Sequence, residues 1–176
     1  MSGAADLSDR IAAIEDREAI RDLMQRYARA ADAKYTAYLE LRGPETVSQS
    51  AAEQAACFAE DAAWSAGQFG GVLSGRAAIA EFFENSPWSY ALHHYVCPEI
   101  KVDGSTADVR WRLLEIGCPQ ADKRVVLLTG VVAQTCRRTT EGWRITSMSF
   151  EVLQEIELAD SRDAVTCLIP KKGQSA

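Results

Sequence analysis

The sequence predicts an α+β fold, with helices first and then a meander of long antiparallel strands, the helices lying on one face of the sheet. Three observations carry this. Apolar residues recur every three to four positions through the start of the chain, which is the period of a helix. From Tyr90 onward the period drops to two, which is the period of a strand. The pairs Asp103-Gly104 and Glu141-Gly142 supply hairpin turns between the extended runs.

Leu7 to Asp32 reads as one long amphipathic helix. Its apolar stripe is Ile11, Ile14, Ile20, Leu23, Met24, Tyr27 and Ala31, with Asp, Glu and Arg between them and Ser8 or Asp9 as the cap. Tyr27 lies near the centre of the stripe. Asp32 lies at the helix end, on the rim of the buried face, about a third of a turn from that centre.

Lys34 to Ser50 is the least regular stretch. Arg42-Gly43-Pro44 breaks it, and Tyr35, Tyr38 and Leu39 are apolar enough to fold over a neighbour, so it reads as either a lid or a disordered loop. A second helix follows near Ala51 to Phe58, then a short strand around Ala62 to Ser65. After GQFGG comes a third helix, from about Arg76 to Glu84, stopped by Asn85-Ser86-Pro87. The strand that begins at Tyr90 is followed by three more: Thr106 to Glu115, Arg124 to Arg137, and Trp143 to about Glu155. A single domain is expected over 1–176, with its core at about 8–155 and a weakly patterned tail at 156–176.

A chain of 176 residues can bury a substantial core. Its net charge of −6 and the lack of any basic run longer than Arg137-Arg138 or Lys171-Lys172 argue against nucleic acid as a partner. No segment approaches the ~20 apolar residues of a membrane span, and the N-terminus has no apolar signal core. No membrane partner and a cytoplasmic location are therefore expected. The five cysteines are scattered with no C-x-x-C pair and read as reduced thiols. No metal is expected, because adjacent histidines on a strand point to opposite faces. No cofactor is expected either, since GQFGG lacks the strand–turn–helix setting of a nucleotide loop.

His93 and His94 are the only two histidines in the chain. Strand residues alternate between faces, so parity separates the pair. The even series is Leu92, His94, Val96, Pro98, Ile100 and Val102; the odd series is Ala91, His93, Tyr95, Cys97, Glu99 and Lys101. The even series is apolar apart from His94, which predicts that His94 faces the core and His93 faces a subunit contact or the surface. An imidazole on an apolar face needs partners for its nitrogens. The residues alone leave both a hydrogen-bonded core histidine and a catalytic one open. Trp64, Phe83, Val96 and Trp111 are candidates for lining an apolar pocket or for filling the core, while Arg110 and Arg112 belong to the opposite face.

The runs DREAIRDLMQRYARAAD (16–32), AACFAEDAAWS (55–65), LSGRAAIAEFF (73–83), LHHYVCPEIKVDGSTADVRWRL (92–113) and RRTTEGWRITSM (137–148) resemble one known group. It is the SnoaL-like, scytalone dehydratase-like branch of the nuclear transport factor 2-like superfamily, and the resemblance spans roughly Asp16 to Val152. It implies a cone-shaped, strongly curved antiparallel sheet wrapped around the first helix, with a deep apolar pocket at its open end. The Lys34–Ser50 stretch is longer than the usual link between the first two helices of the group.

Members resembling scytalone dehydratase, bile-acid 7α-dehydratase and hexachlorocyclohexane dehydrochlorinase use a histidine–aspartate pair and no cofactor. Those motif positions fall on His94 and Asp32, with Tyr27 as a phenol that hydrogen-bonds a substrate carbonyl or leaving hydroxyl. The implied activity is a cofactor-independent lyase (dehydratase, dehydrohalogenase or related elimination) acting on a small hydrophobic, aromatic or polycyclic substrate. His94 is then the general base, and His94→Ala is expected to abolish turnover with the fold intact. A ketosteroid-isomerase-like isomerase and a non-catalytic ligand-binding module are the alternatives. The resemblance also implies a homo-oligomer, with a trimer preferred over a dimer.

Overall fold

A computed structural model describes residues 2–67, 71–122 and 124–168. Helix α1 (Ser2–Asp32) is followed by α2 (Pro44–Ala55), strands β1 (Phe58–Gly67) and β2 (Gly71–Ser74), and helix α3 (Arg76–Glu84). Four long strands complete the chain: β3 (Trp88–Asp103), β4 (Thr106–Pro119), β5 (Val125–Thr139) and β6 (Gly142–Ala159), with a short 3-10 turn at Arg162–Ala164. The end of the weakly patterned tail, from residue 169, and the middle of GQFGG lie outside the described residues, while β6 runs into the expected tail as far as Ala159.

The strands form one curved six-stranded sheet in the order β2-β1-β6-β5-β4-β3. It is a mixed sheet. β3 to β6 make the antiparallel meander set by the two hairpin turns, and β1 joins β6 in parallel. Helix α2 begins earlier than the apolar period suggests, because Pro44 at its first turn is preorganised for helix and has no N–H to leave unpaired. What remains of the irregular stretch is a compact turn, closed by a bridge between Tyr35 and Leu41 and by a bond from the Arg42 N–H to the Lys34 carbonyl (2.8 Å).

The core lies between the helices and the inner sheet face. Ile20, Leu23, Met24 and Tyr27 of α1 pack with Ile79 and Phe83 of α3 against Val109, Trp111, Leu113, Val132, Ile145 and Met148. Those spacings on α1 are the three-and-four pattern of its sequence stripe. The stripe is longer than the core, however: Leu7, Ile11 and Ile14 project beyond it and are about half exposed. Asp16 anchors α1 to the far end of the sheet, accepting from Trp143 Nε1 (3.2 Å) and from Arg138.

Two local irregularities shape the sheet. In β3 the register against β4 slips by one residue between Val96 and Glu99, so that Cys97 and Pro98 together oppose Trp111. Cys97 takes the left-handed conformation (φ 49°) that opens such a bulge. In β5, Gly130 lies beside a second slip. A Cβ there would stand 2.3 Å from the Val152 carbonyl oxygen, so only glycine permits this approach of β6.

Candidate active site

The last residue of α1 meets the edge strand β3. Asp32 Oδ1 accepts two hydrogen bonds from one residue, the backbone N–H of His93 (3.1 Å) and its ring Nδ1–H (2.8 Å). The carboxylate therefore fixes the tautomer of His93 and leaves Nε2 as the free ring nitrogen. Directly across the ladder stands Glu115 of β4, whose Oε2 lies 3.5 Å from His93 Nε2. Burial alone would lower the His93 pKa, but the Glu115 and Asp32 carboxylates outweigh it and hold the imidazole above its usual range. Burial likewise pushes Glu115 upward, against the opposing pull of His93.

The partner of Asp32 is thus His93 and not His94, and the parity argument is corrected at the bulge. Before it, the inward residues of β3 are the odd ones: Ala91 is buried and Tyr95 packs on the core. After it, the inward residues are even, Ile100 and Val102. A series read continuously across Cys97-Pro98 joins the outer half of one segment to the inner half of the next. Pro98 was the available signal, since a proline within a strand marks an edge or a bulge.

His93 forms part of the wall of a partly open cavity of about 50 Å³ between the helices and the sheet. Tyr27, Trp64 and Phe83 also line it. Tyr27 packs edge-on against Phe58, Phe83 and Tyr95, with ring centroids 5.9 to 6.0 Å apart, while Gln54 and Tyr95 lie against its hydroxyl. Burial raises both the Tyr27 and the Tyr95 phenol, so each remains a neutral O–H donor. Lys34 and Glu115 complete the polar wall; Lys34, with Tyr35 and Tyr38, is a residue of the irregular stretch that could bring a polar group to the site by folding inward, whereas Glu115 was not singled out from the sequence. For Glu115 a signal existed: it continues the buried series Ala107, Val109, Trp111, Leu113 of β4, where a carboxylate is out of place.

The other sequence candidates lie elsewhere. His94 and Val96 line a separate outer hollow of about 380 Å³ between α1 and β3, which also touches Trp111 and His93. His94 is exposed there. Trp111 uses its indole N–H inside the core, donating to Gln134 Oε1 at 3.0 Å. Among the described residues, no three His, Cys, Asp or Glu side chains are grouped to hold a metal ion. No helix among them is long and apolar enough to cross a membrane.

Helices packed into a curved mixed sheet around a cavity define a nuclear transport factor 2-like, cystatin-like architecture. The model of the SnoaL-like domain matches residues 47–149, more than half of the chain, and the chain belongs to the SnoaL-like family of that superfamily. Three solved structures from Novosphingobium aromaticivorans are similar to it. A provisionally described aromatic ring hydroxylase is 28% identical, with TM-score 0.65, covering 81% of this chain and 94% of its own. A nuclear transport factor 2-like protein with a cystatin-like fold is 25% identical, with TM-score 0.60 and coverage of 93% and 96%. A provisionally described scytalone dehydratase is 20% identical, with TM-score 0.63 and coverage of 85% and 93%. No curated protein matches.

Proposed function

We propose that this protein is a cofactor-independent lyase, eliminating water or a comparable leaving group from a small ring-bearing β-hydroxy ketone, with His93 as its base. The observation that carries the reading is the 2.8 Å bond from His93 Nδ1 to Asp32 on the wall of an apolar cavity. A carboxylate there stabilises the imidazolium that forms when Nε2 takes a proton. A correctly placed general base contributes typically ~10²- to 10⁴-fold. Membership of a fold group that includes a provisional scytalone dehydratase supports the same reaction class.

The proton balance closes within the site. His93 Nε2 removes the proton beside the carbonyl, and the C–H electron pair becomes the new C=C bond as the C–O bond one carbon away breaks. Glu115, whose acid form burial favours, gives its proton to the departing hydroxyl, which leaves as water. Imidazolium and carboxylate then stand 3.5 Å apart, and transfer of one proton between them restores the starting state. The Tyr27 and Tyr95 hydroxyls serve as neutral donors within the same cavity. At about 50 Å³ the cavity is smaller than the ~150 Å³ void that admits benzene into an apolar core, so a ring enters by displacing wall side chains. Phe82 and Trp88, each only partly buried, are among those walls.

The test is a panel of ring-bearing β-hydroxy ketones, with conjugated enone formation followed by absorbance and NMR. Deuterium at the carbon beside the carbonyl should slow conversion by a primary isotope effect. Enone formation at an undiminished rate by His93→Ala would remove His93 from the base role. Conversion to a positional isomer with no loss of water would assign the isomerase class instead.

The reading extends to assembly. Leu114, Val152, Ile156 and Leu158 expose 45 to 53% of their surface on the outer sheet, and Leu7, Ile11 and Ile14 of α1 expose 47 to 56%. These surfaces support a homo-oligomer, a trimer by family analogy. Light scattering at micromolar concentration should give a trimer mass, and a monomer would contradict it.

A further inference from the structure

One charged group in the cavity has no part in the proton balance above. Lys34 follows α1 and is 4% exposed. Its Nζ donates to Gln54 Oε1 (3.0 Å) and to the Phe83 carbonyl oxygen (3.1 Å), both neutral acceptors. An ammonium carries three N–H donors, so one is left over. Among the described residues no carboxylate oxygen lies within 4.0 Å of it. A buried cation without an ion-pair partner is costly to hold and is retained where a ligand supplies the missing charge.

A second observation points to the same ligand chemistry. Trp64 is 6% exposed, and its Nε1–H is a buried donor with no hydrogen-bond partner. Both groups flank one ring: Lys34 Nζ lies 5.6 Å from the Phe83 centroid, and the Trp64 ring centroid lies 5.1 Å from it. The phenols of Tyr27 and Tyr95, raised by burial, add two neutral hydroxyls to the same cavity. Its complement is an oxygen that carries or gains negative charge. Burial lowers the Lys34 pKa to about 8, with Asp32 and Glu115 pulling it back up, so the group is still a cation at neutral pH.

We propose that Lys34 is the cation of an oxyanion site, its third N–H taking the substrate carbonyl oxygen and the negative charge that gathers there when His93 removes the neighbouring proton. This rests on the elimination reading and adds its electrostatic component. The C–H pair becomes the C=C of an enolate as the carbonyl π pair moves onto oxygen, beside Lys34. As the leaving group departs, the oxygen pair re-forms C=O, the enolate C=C pair becomes the C=C of the product and the C–O pair leaves with the hydroxyl, so Lys34 neither gains nor loses a proton. Substrates are then enolisable ketones, and compounds without such an oxygen are poor ones.

The test uses 4-nitrophenol, which mimics an enolate in its ionised form, is not turned over, and reports its own ionisation by colour. Below the pKa of the free phenol, the wild-type protein should bind it as the phenolate. Lys34→Met should bind phenolate at least about tenfold more weakly, as loss of a charge-assisted hydrogen bond implies. His93→Ala should retain phenolate binding. Binding by the wild type as neutral phenol, or no binding at all, overturns the proposal, as does unchanged phenolate affinity in Lys34→Met. If that variant fails to fold, Lys34→Gln takes its place, and the wild-type spectrum decides by itself.

The two readings fail separately. Phenolate capture with no dehydration of any β-hydroxy ketone removes the elimination and leaves the oxyanion site. Dehydration at full rate by Lys34→Met does the reverse.

Discussion

At the scale of single residues, the site turns on an imidazole held between two carboxylates. Asp32 accepts from Nδ1 of that ring, and the Glu115 carboxylate stands 3.5 Å from its other nitrogen. As the base, His93 works only when neutral, and its pKa is raised above 6.5. The rising limb of kcat/KM against pH should therefore lie above 6.5, and a falling limb near 8 should follow as Lys34 loses its charge. Glu115 is the largest of the influences that raise His93, so Glu115→Gln should move the rising limb to lower pH as well as slowing the reaction. A limb that stays in place would detach Glu115 from His93. For stability the sign is opposite: the charged His93 contributes below its unfolded pKa, and that contribution is lost as pH rises through the raised folded value. Lys34 was legible only as a residue of the irregular stretch that could fold inward, with no period to mark it as buried. Glu115 was legible as a carboxylate on an apolar strand series.

At the scale of elements, β3 decides which histidine reaches Asp32. Its bulge lets Tyr95 and Ile100, which differ in parity, share one face. The sequence pattern identified the strand, its partner and its turn correctly, but a period of two carries no information about an inserted residue except through Pro98. The bulge also stores backbone strain, because Cys97 is a non-glycine residue at φ 49° with an exposed side chain. Cys97→Val should destabilise by about 1–2 kcal/mol, since a β-branched residue tolerates that conformation poorly. Cys97→Gly should be neutral or stabilising, and thermal melts of the pair check both. Equal melting temperatures for the two variants would mean that the bulge is not strained. The helix pattern was more readable, because α3 and the end of α1 are marked by breakers and by charge. The start of α2 was not, since Pro44 reads equally as a loop breaker and as a first-turn residue.

At the scale of the whole molecule, a curved sheet closes around one cavity, and its curvature depends on close approach of β5 and β6. Gly130→Ala should cost about 2 kcal/mol or more, because the added methyl meets backbone rather than a side chain that could turn away. Chemical denaturation measures this, and a change below ~0.5 kcal/mol would show that the strands part easily. The order of helices and strands was legible because each run has one period. The parallel pairing of β1 with β6 was not, because it joins residues far apart in the chain through a register that local patterning does not encode. The central claim is that the molecule brings Asp32 to His93 and makes that imidazole the base. It is tested most directly by comparing initial rates of purified His93→Ala and His94→Ala on one β-hydroxy ketone that the wild type dehydrates. His93→Ala should lose at least ~10²-fold in kcat, while His94→Ala, altered only at the outer hollow, should stay within a few-fold of wild type. Loss of turnover in His94→Ala with His93→Ala still active would contradict the account.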